Sequence, residues 1–205
     1  MSDGIVLALS GGIGGAKLAL GLSRVLAPSD LTILANTGDD FEHLGLAVSP
    51  DIDTLLYTLA GLSDSERGWG RADESWHFMQ ALTAIGGETW FQLGDRDLAL
   101  HVERTRRLSA GETLSDITAG FARALGVGPK ILPMSDAPVR TRVLSRDGWL
   151  DFQDYFVRQR CAPRVLQIAF EGAAAAHPPP DLLRLMQQGK PRAIVICPSN
   201  PFISI

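Results

Sequence analysis

Residues 5–17 read Ile-Val-Leu-Ala-Leu-Ser-Gly-Gly-Ile-Gly-Gly-Ala-Lys, an apolar run that leads into a glycine-rich stretch. A short continuous apolar run that ends at serine and glycine is typical of a strand buried on both faces. Leu18, Leu22 and Leu26 follow at helical spacing, and residues 31–35 form a second apolar run. This segment of about thirty residues predicts a right-handed parallel βαβ unit, because a strand, a glycine turn, a helix and a second strand follow one another in it.

The glycines of this unit predict an anion site. Gly11, Gly12, Gly14 and Gly15 permit a sharp turn with exposed N–H groups, and the following helix adds its partial positive charge. Lys17, expected in the first helical turn, could reach a phosphate or point to solvent. The stretch departs from both standard nucleotide patterns, since these need glycine at position 16 or at position 17. A tight turn without a ligand is therefore the alternative to phosphate binding.

Two groups of acidic residues come next. Asp39 and Asp40 belong to residues 36–40, Asn-Thr-Gly-Asp-Asp, directly after the second predicted strand. Ligands of open α/β sheets bind outside the carboxyl ends of strands, so these residues could hold Mg²⁺ or a ribose. Their alternative is a turn with solvated carboxylates. Asp51 and Asp53 could also bind Mg²⁺, but capping of the helix that starts there would alone explain them and is the favoured interpretation.

Further along the chain, three polar residues stand where a ligand could bind. Arg96 lies between two acidic residues after a glycine, where it could clamp a phosphate or carboxylate, or merely pair with its neighbours. Ser199 and Asn200 follow the last predicted strand and could contact a nucleobase or a ribose.

The pattern of the whole chain predicts an α/β fold, a Rossmann-like and mostly parallel sheet with a helix-rich insertion at about residues 53–125. Further strand signals occur at residues 130–132, 139–144, 165–170 and 193–197. We expect a single nucleotide-binding domain across residues 1–205. Because the chain stops directly after a buried strand, we also expect it to lack a C-terminal part.

The composition of the chain limits the classes of partner that the protein is expected to bind. The net charge is -4, from 19 basic and 23 acidic residues, which argues against a nucleic-acid-binding face. No apolar run approaches the roughly 20 residues that span a bilayer, and the start of the chain is unlike a signal peptide. We therefore expect a cytoplasmic protein without a membrane partner, and a homodimer is a reasonable expectation.

A series of motifs resembles the 2-phospho-L-lactate transferase family of deazaflavin coenzyme F420 biosynthesis. Any one motif is weak, but the series covers the whole chain in order and is specific. The matching segments are residues 9–17, 36–40, 49–57, 93–97, 131–139, 152–157 and 198–205.

The resemblance implies an Mg²⁺-dependent transfer of a phospho-acid, of the 2-phospho-L-lactate or phosphoenolpyruvate type. The donor would be a guanosine diphosphate ester, the acceptor the 5-deazaflavin Fo, and the leaving group GMP. The resemblance implies that the donor phosphates bind at Gly11, Gly12, Gly14, Gly15 and Lys17, and that guanosine binds at Ser199 and Asn200. It implies that Fo contacts Asp53 and Arg96. It also implies metal binding by Asp39, Asp40 and Asp51, and catalysis by Asp53 and Asp40.

Two other functions stay open from the sequence. A non-catalytic regulator that binds a nucleotide sugar is one, because a related family shares a similar glycine stretch and fold. A nicotinamide-dependent oxidoreductase is the other, although its fingerprint is broken and two acidic residues stand where one ribose-binding acid is expected.

Overall fold

The computed structural model describes residues 4–187, 189–201 and 204. The strands are β1 (Val6–Ser10), β2 (Leu31–Ala35), β3 (Phe41–His43), β4 (Leu46–Val48), β5 (Lys130–Pro133), β6 (Arg140–Ser145), β7 (Gly148–Asp151), β8 (Gln167–Glu171) and β9 (Ala193–Ile196). The α-helices are α1 (Gly12–Val25), α2 (Pro50–Leu59), α3 (His77–Ala84), α4 (Asp95–Ser109), α5 (Leu114–Ala124) and α6 (Pro180–Gln187). A π-helical segment, Asp154–Arg158, and two short 3₁₀ turns, Pro28–Asp30 and Ala173–Ala175, complete the described elements.

The central sheet is parallel, with the strand order β5-β2-β1-β9. The first βαβ unit is therefore confirmed, as β1 pairs with β2 from Val6 opposite Leu31 to Ser10 opposite Ala35. The predicted class, a Rossmann-like α/β fold, is also confirmed. All carboxyl ends of these strands meet at one edge, so the polar residues that follow them are brought together.

The two faces of this sheet are covered differently. Val6, Ala8 and Ile33 point to one face, where they pack with α1, α2 and α5 in the main core. Their neighbours Leu7 and Leu34 point to the opposite face, which α6 covers through Leu182 and Leu132 completes from β5. This alternation follows from the period of two along a strand.

The helical block between β4 and β5 starts earlier than the sequence predicted. α2 begins at Pro50 rather than at residue 53, because proline fits the first helical position, where its missing N–H is not needed. α5 begins after Thr113, whose hydroxyl accepts a hydrogen bond of 3.1 Å from the backbone N–H of Asp116. Among the described residues no helix combines the length and the apolar character needed to cross a membrane.

Two antiparallel elements were only partly predicted. β3 and β4 form a short hairpin whose turn contains Leu44 and Gly45, both with positive φ. β7, β6 and β8 form a separate three-stranded sheet, of which the sequence indicated β6 and β8 but not β7. β6 hydrogen-bonds to the segment that follows β2, since Thr141 N–H donates to the Gly38 carbonyl at 2.8 Å. The small sheet is thereby anchored beside the carboxyl ends of β2 and β5.

Candidate active site

The glycine-rich stretch forms the first turn of α1 rather than a loop before it. Gly11 is the extended residue that precedes the helix, and α1 begins at Gly12, whose φ is +64°. Lys17 consequently lies in the second turn, where its side chain is exposed, and not in the first turn as predicted. The backbone N–H groups of the first turn, not Lys17, are thus the groups at the positive end of the helix.

The loop after β9 packs directly on this turn. A Cβ atom at Gly14 would collide with the carbonyl oxygen of Pro198, and one at Gly12 would lie 3.1 Å from Ser199 Oγ. Ser199 is thereby brought to the glycine turn, and Asn200 follows it in the same loop. The glycines are needed because the two backbone segments approach more closely than side chains allow.

Asp51 contacts the start of α1 instead of capping its own helix. The N–H of Gly12 donates to Asp51 Oδ1 at 2.7 Å, and Asn36 Nδ2 donates to Oδ2 at 2.9 Å. Asn36 is held in turn by the N–H of Gly38, which donates to its Oδ1 at 2.9 Å. The favoured capping interpretation was therefore wrong, because Ser49, the residue before α2, makes no side-chain cap and Asp51 contacts another helix.

Asp39 lies close to Asp51 and is buried, so a turn with solvated carboxylates is also excluded. Burial, and next the charge of Asp51, raise the pKa of Asp39 to about 8. Burial likewise raises the pKa of Asp51. Asp39 Oδ1 has no hydrogen-bond partner among the described residues. Two adjacent carboxylates, one with an unsatisfied oxygen, fit Mg²⁺, which usually takes one or two carboxylates together with substrate phosphates.

Asp40 is also buried but has different neighbours. Its Oδ2 accepts a hydrogen bond of 2.8 Å from Ser49 Oγ, and its Oδ1 has no partner in the described part of the chain. Burial raises the pKa of Asp40 to about 7, against the opposing effects of the Ser49 hydrogen bond and the charges of Arg140 and Arg104. Three carboxylates were predicted to bind the metal. Asp39 and Asp51 lie together as a pair, whereas Asp40 has its own set of neighbours.

Asp53 forms a buried ion pair that the sequence did not predict. Arg104 contacts both of its oxygens, Nη2 with Oδ1 and Nη1 with Oδ2, the latter at 3.2 Å. Arg104 Nη1 also donates to the Ala47 carbonyl at 3.2 Å. Burial raises the pKa of Asp53 and the charge of Arg104 opposes this rise. The carboxylate of Asp53 therefore lies at the edge of the site, where it is paired with Arg104.

The pair continues into a chain of polar contacts along α4. Arg104 Nη1 lies 3.2 Å from His101 Nδ1, and because a guanidinium only donates, this nitrogen is assigned as the acceptor of the contact. His101 Nε2 lies 3.2 Å from Asp97 Oδ2. The hydroxyl of Tyr57 donates to Asp97 Oδ1 at 2.5 Å. The only sequence signal for this network is the helical spacing of Asp97, His101 and Arg104, which puts them on one face of α4.

This network borders a cleft of about 130 Å³. Its lining combines acidic groups with aromatic and apolar surfaces: Val48, Pro50, Asp53, Thr54, Tyr57, Trp69, Gly70, Phe91, Gln92, Asp97 and His101. Ligand atoms of Asp53, Asp97 and His101 lie within 4.8 Å of one another, a spacing that a metal could use. Arg104 already contacts both Asp53 oxygens, however, so a second cation there would meet direct charge repulsion.

Arg96 is not brought to this cleft. It lies exposed in the first turn of α4, and its backbone N–H donates to Glu74 Oε2 at 2.8 Å. The cleft lining in the described part of the chain contains its neighbour Asp97 instead. Arg96 and Asp53, to which the family resemblance assigns the same ligand, thus lie in different environments.

Comparison with known proteins identifies the family. A family model described as 2-phospho-L-lactate transferase CofD matches residues 6–205. The chain belongs to this family. Proteins named phosphoenolpyruvate transferase are 41% identical in Streptomyces avermitilis, 42% in Streptomyces coelicolor and 37% in Mycobacterium tuberculosis. These matches cover 98% of this chain, which spans 64% to 66% of the relatives' length.

Solved structures support the fold. A Bacillus halodurans protein of the UPF0052 family superimposes with a TM-score of 0.60 at 17% sequence identity. The match covers 98% of this chain and 61% of that protein. At this identity the likeness establishes the shared α/β architecture, and the choice of activity depends on the site.

Proposed function

We propose that this protein transfers a phospho-acid group from a guanosine diphosphate ester to the deazaflavin Fo in coenzyme F420 biosynthesis. The terminal hydroxyl oxygen of Fo attacks the phosphorus that carries the acid. The bond from this phosphorus to the bridging oxygen of the diphosphate breaks, GMP leaves with that oxygen, and the hydroxyl proton passes to a base. The names of the relatives favour phosphoenolpyruvate as the group transferred.

The observation that carries this proposal is the position of Asp51 at the glycine turn. Asp51 accepts from the Gly12 N–H and borders Asp39, so two carboxyl groups lie where the donor's diphosphate is expected. When these carboxyl groups are ionised, an anion that binds beside them needs a compensating cation. Asp39 and Asp51 would hold Mg²⁺, which would neutralise charge on the diphosphate and on the leaving GMP.

The chain's own groups would orient the donor. Apart from the Gly12 N–H, which donates to Asp51, the backbone N–H groups of the first turn of α1 would bind the donor's phosphates, and Ser199, beside Gly12, would supply a hydroxyl donor at the same place. Phosphoryl transfer depends mainly on positioning and charge neutralisation, so this set of groups is sufficient for the donor side.

On the acceptor side, Asp53 and Asp40 have distinct roles. Both oxygens of Asp53 are engaged by Arg104, so Asp53 is suited to hydrogen-bond the acceptor rather than to take its proton. Asp40 keeps one oxygen without a partner among the described residues, which makes it the better candidate for the proton acceptor. The cleft beside Asp53 presents Trp69 and Phe91, which suit the flat ring of a deazaflavin.

Titration with Fo tests the proposal. The intrinsic fluorescence of Fo is followed as protein is added, with and without GDP and with and without Mg²⁺. We expect saturable Fo binding and a GDP affinity that depends on Mg²⁺. Absence of Fo binding would refute the transferase function. Tight binding of a uridine diphosphate sugar without Fo would favour the regulator instead, and tight binding of NAD the oxidoreductase.

A further inference from the structure

A cavity of about 640 Å³ lies at the amino ends of β2 and β5, at the edge of the central sheet opposite the candidate active site. Leu31 and Thr32 at the start of β2, and Lys130 and Ile131 at the start of β5, contribute to its lining. The volume lies within the range of roughly 300–1,000 Å³ that pockets for whole small molecules occupy. A ligand in this cavity would therefore be distinct from the substrates, which are expected at the carboxyl ends of the strands.

The walls of this cavity come from helices on both faces of the sheet. α5, which packs in the main core on one face, contributes Ala122 and Arg123. α6, which covers the opposite face through Leu182, contributes Arg184 and Leu185. The fold itself thus forms the cavity, because the two helices are held in place by the cores on which they pack.

The charged groups of the lining are mainly basic. Three of them, Arg123, Lys130 and Arg184, are positive, and the lining carboxylate is Asp181, so these side chains leave a net charge of +2. The whole chain, in contrast, has a net charge of -4. A concave surface with a local excess of positive charge attracts anions.

The basic groups remain available to a ligand. Asp181 contacts both Lys130 Nζ, at 3.0 Å, and Arg184 Nη2, so one carboxylate is shared between two cations. The side chains of Lys130 and Arg184 are 54% and 67% exposed, and such exposed ion pairs contribute little energy. Arg123 has no ion-pair partner within the described part of the chain.

Much of the remaining lining is apolar. Ile5, Pro28, Val127 and Leu185 contribute surface that is still at least partly accessible. A bare inorganic ion would leave this surface in contact with water, whereas a molecule with an apolar body would bury it. The lining therefore favours a compact anionic group attached to an apolar body.

We propose that this cavity binds a small phosphate monoester, with its phosphate on Arg123 and Arg184 and its apolar part against Val127 and Leu185. Guanidinium groups bind phosphate oxygens through paired hydrogen bonds, and two negative charges match the local charge of +2. The inference is independent of the proposed function, because it uses none of the groups assigned to the donor, the acceptor or the metal.

Calorimetric titration with phenyl phosphate tests this site. The buffer is free of divalent cations and held at pH 8, where a phosphate monoester carries close to two negative charges. We expect saturable binding by the wild type, and binding about tenfold weaker or more in Arg123→Gln and in Arg184→Gln, since each loses a charge-assisted contact. Arg24→Gln, which changes an exposed arginine of α1 outside the cavity, is the matched control and should bind as the wild type does.

Two further titrations test the apolar part and the independence of the site. Inorganic phosphate, which lacks the ring, should bind the wild type about tenfold more weakly or worse, because the burial of a ring is lost. With Mg²⁺ added, GDP should bind Arg123→Gln and the wild type equally. A loss of GDP binding in Arg123→Gln would show that the cavity is not separate from the substrate site.

Other results would overturn the site while leaving the proposed function intact. These are absence of phenyl phosphate binding, equal binding by the wild type and the two cavity variants, and inorganic phosphate binding as tightly as phenyl phosphate. Tighter binding of a polyglutamate peptide would make the cavity a docking surface for an acidic segment. Recruitment to vesicles that contain phosphatidic acid, without binding of phenyl phosphate, would make it a membrane contact.

Discussion

Arg104 and Asp53 form an ion pair with both side chains buried, across a sequence separation of 51 residues. The pair joins the middle of α4 to the start of α2, and the additional contact with the Ala47 carbonyl ties β4 to the same point. The burial of both charges has a direct consequence, because removal of either one leaves the other without compensation.

Replacement of Arg104 should therefore destabilise the fold strongly. We expect Arg104→Met to lower the free energy of unfolding by about 3–5 kcal/mol, measured by urea denaturation. The double variant Asp53→Asn with Arg104→Met should recover part of this loss, since no uncompensated charge remains. Arg106→Met, which changes an exposed arginine of the same helix, is the control and should leave stability unchanged. Equal stability of the single and double variants would show that the pair is not coupled.

Arg104 should also position Asp53 for the acceptor. Arg104→Lys keeps the charge but not the two-pronged contact, so we expect folded protein with an increased KM for Fo and a smaller change in kcat. The measurement is steady-state kinetics over a range of Fo concentrations. A fall in kcat alone, with KM unchanged, would contradict the positioning role.

Asp51 has an observed contact with the start of α1 and a proposed role in metal binding, and two substitutions separate them. Asp51→Ala removes the acceptor for the Gly12 N–H and should lower the free energy of unfolding by about 1 kcal/mol, the effect of a lost helix cap. Asp51→Asn keeps a hydrogen-bond acceptor and should retain most of the stability, yet it removes the charge needed for Mg²⁺. Mg²⁺-dependent GDP binding, measured by calorimetry, should be lost in both variants. Retention of Mg²⁺ dependence in Asp51→Asn would exclude Asp51 as a ligand.

The predictable features of this protein are those encoded locally. The apolar runs at residues 5–9 and 31–35 predict β1 and β2 by themselves, and the carboxylates after β2 lie at the expected edge of the sheet. The network of Asp53 with Arg104 was not predictable, because it depends on how α4 packs against β4. The role of Asp51 was missed for the same reason, since its partner Gly12 is 39 residues away.

The raised pKa of Asp39 predicts that the stability of the metal-free protein depends on pH. Burial holds the pKa of Asp39 at about 8 in the folded state, above its value of about 3.9 in an unfolded chain. The folded state thus retains a proton that the unfolded state loses, so stability falls as the pH rises between these values. Asp39→Asn cannot ionise and should be more stable than the wild type at pH 8 by at least about 1 kcal/mol, since one pKa unit corresponds to about 1.4 kcal/mol.

Urea denaturation in a chelating buffer at pH 5 and at pH 8 measures this difference. The advantage of Asp39→Asn should be smaller at pH 5, because the folded wild type is then still protonated at this position. Added Mg²⁺ at pH 8 should stabilise the wild type more than the variant, as the ion compensates the carboxylate only where it is present. An advantage of the variant that is equal at both pH values would show that Asp39 does not cause the pH dependence.

Two glycines of α1 should respond to the same substitution in opposite ways. Gly14→Ala introduces a Cβ that collides with the Pro198 carbonyl, so the loop after β9 must move away from the glycine turn. Gly21→Ala is the matched control, because a Cβ there has no neighbour within 4 Å and alanine stabilises a helix interior by about 0.5–1 kcal/mol. We expect a higher melting temperature for Gly21→Ala, and for Gly14→Ala a lower one together with weakened GDP binding. If Gly14→Ala bound GDP normally, the contact between this loop and the turn would not contribute to the phosphate site.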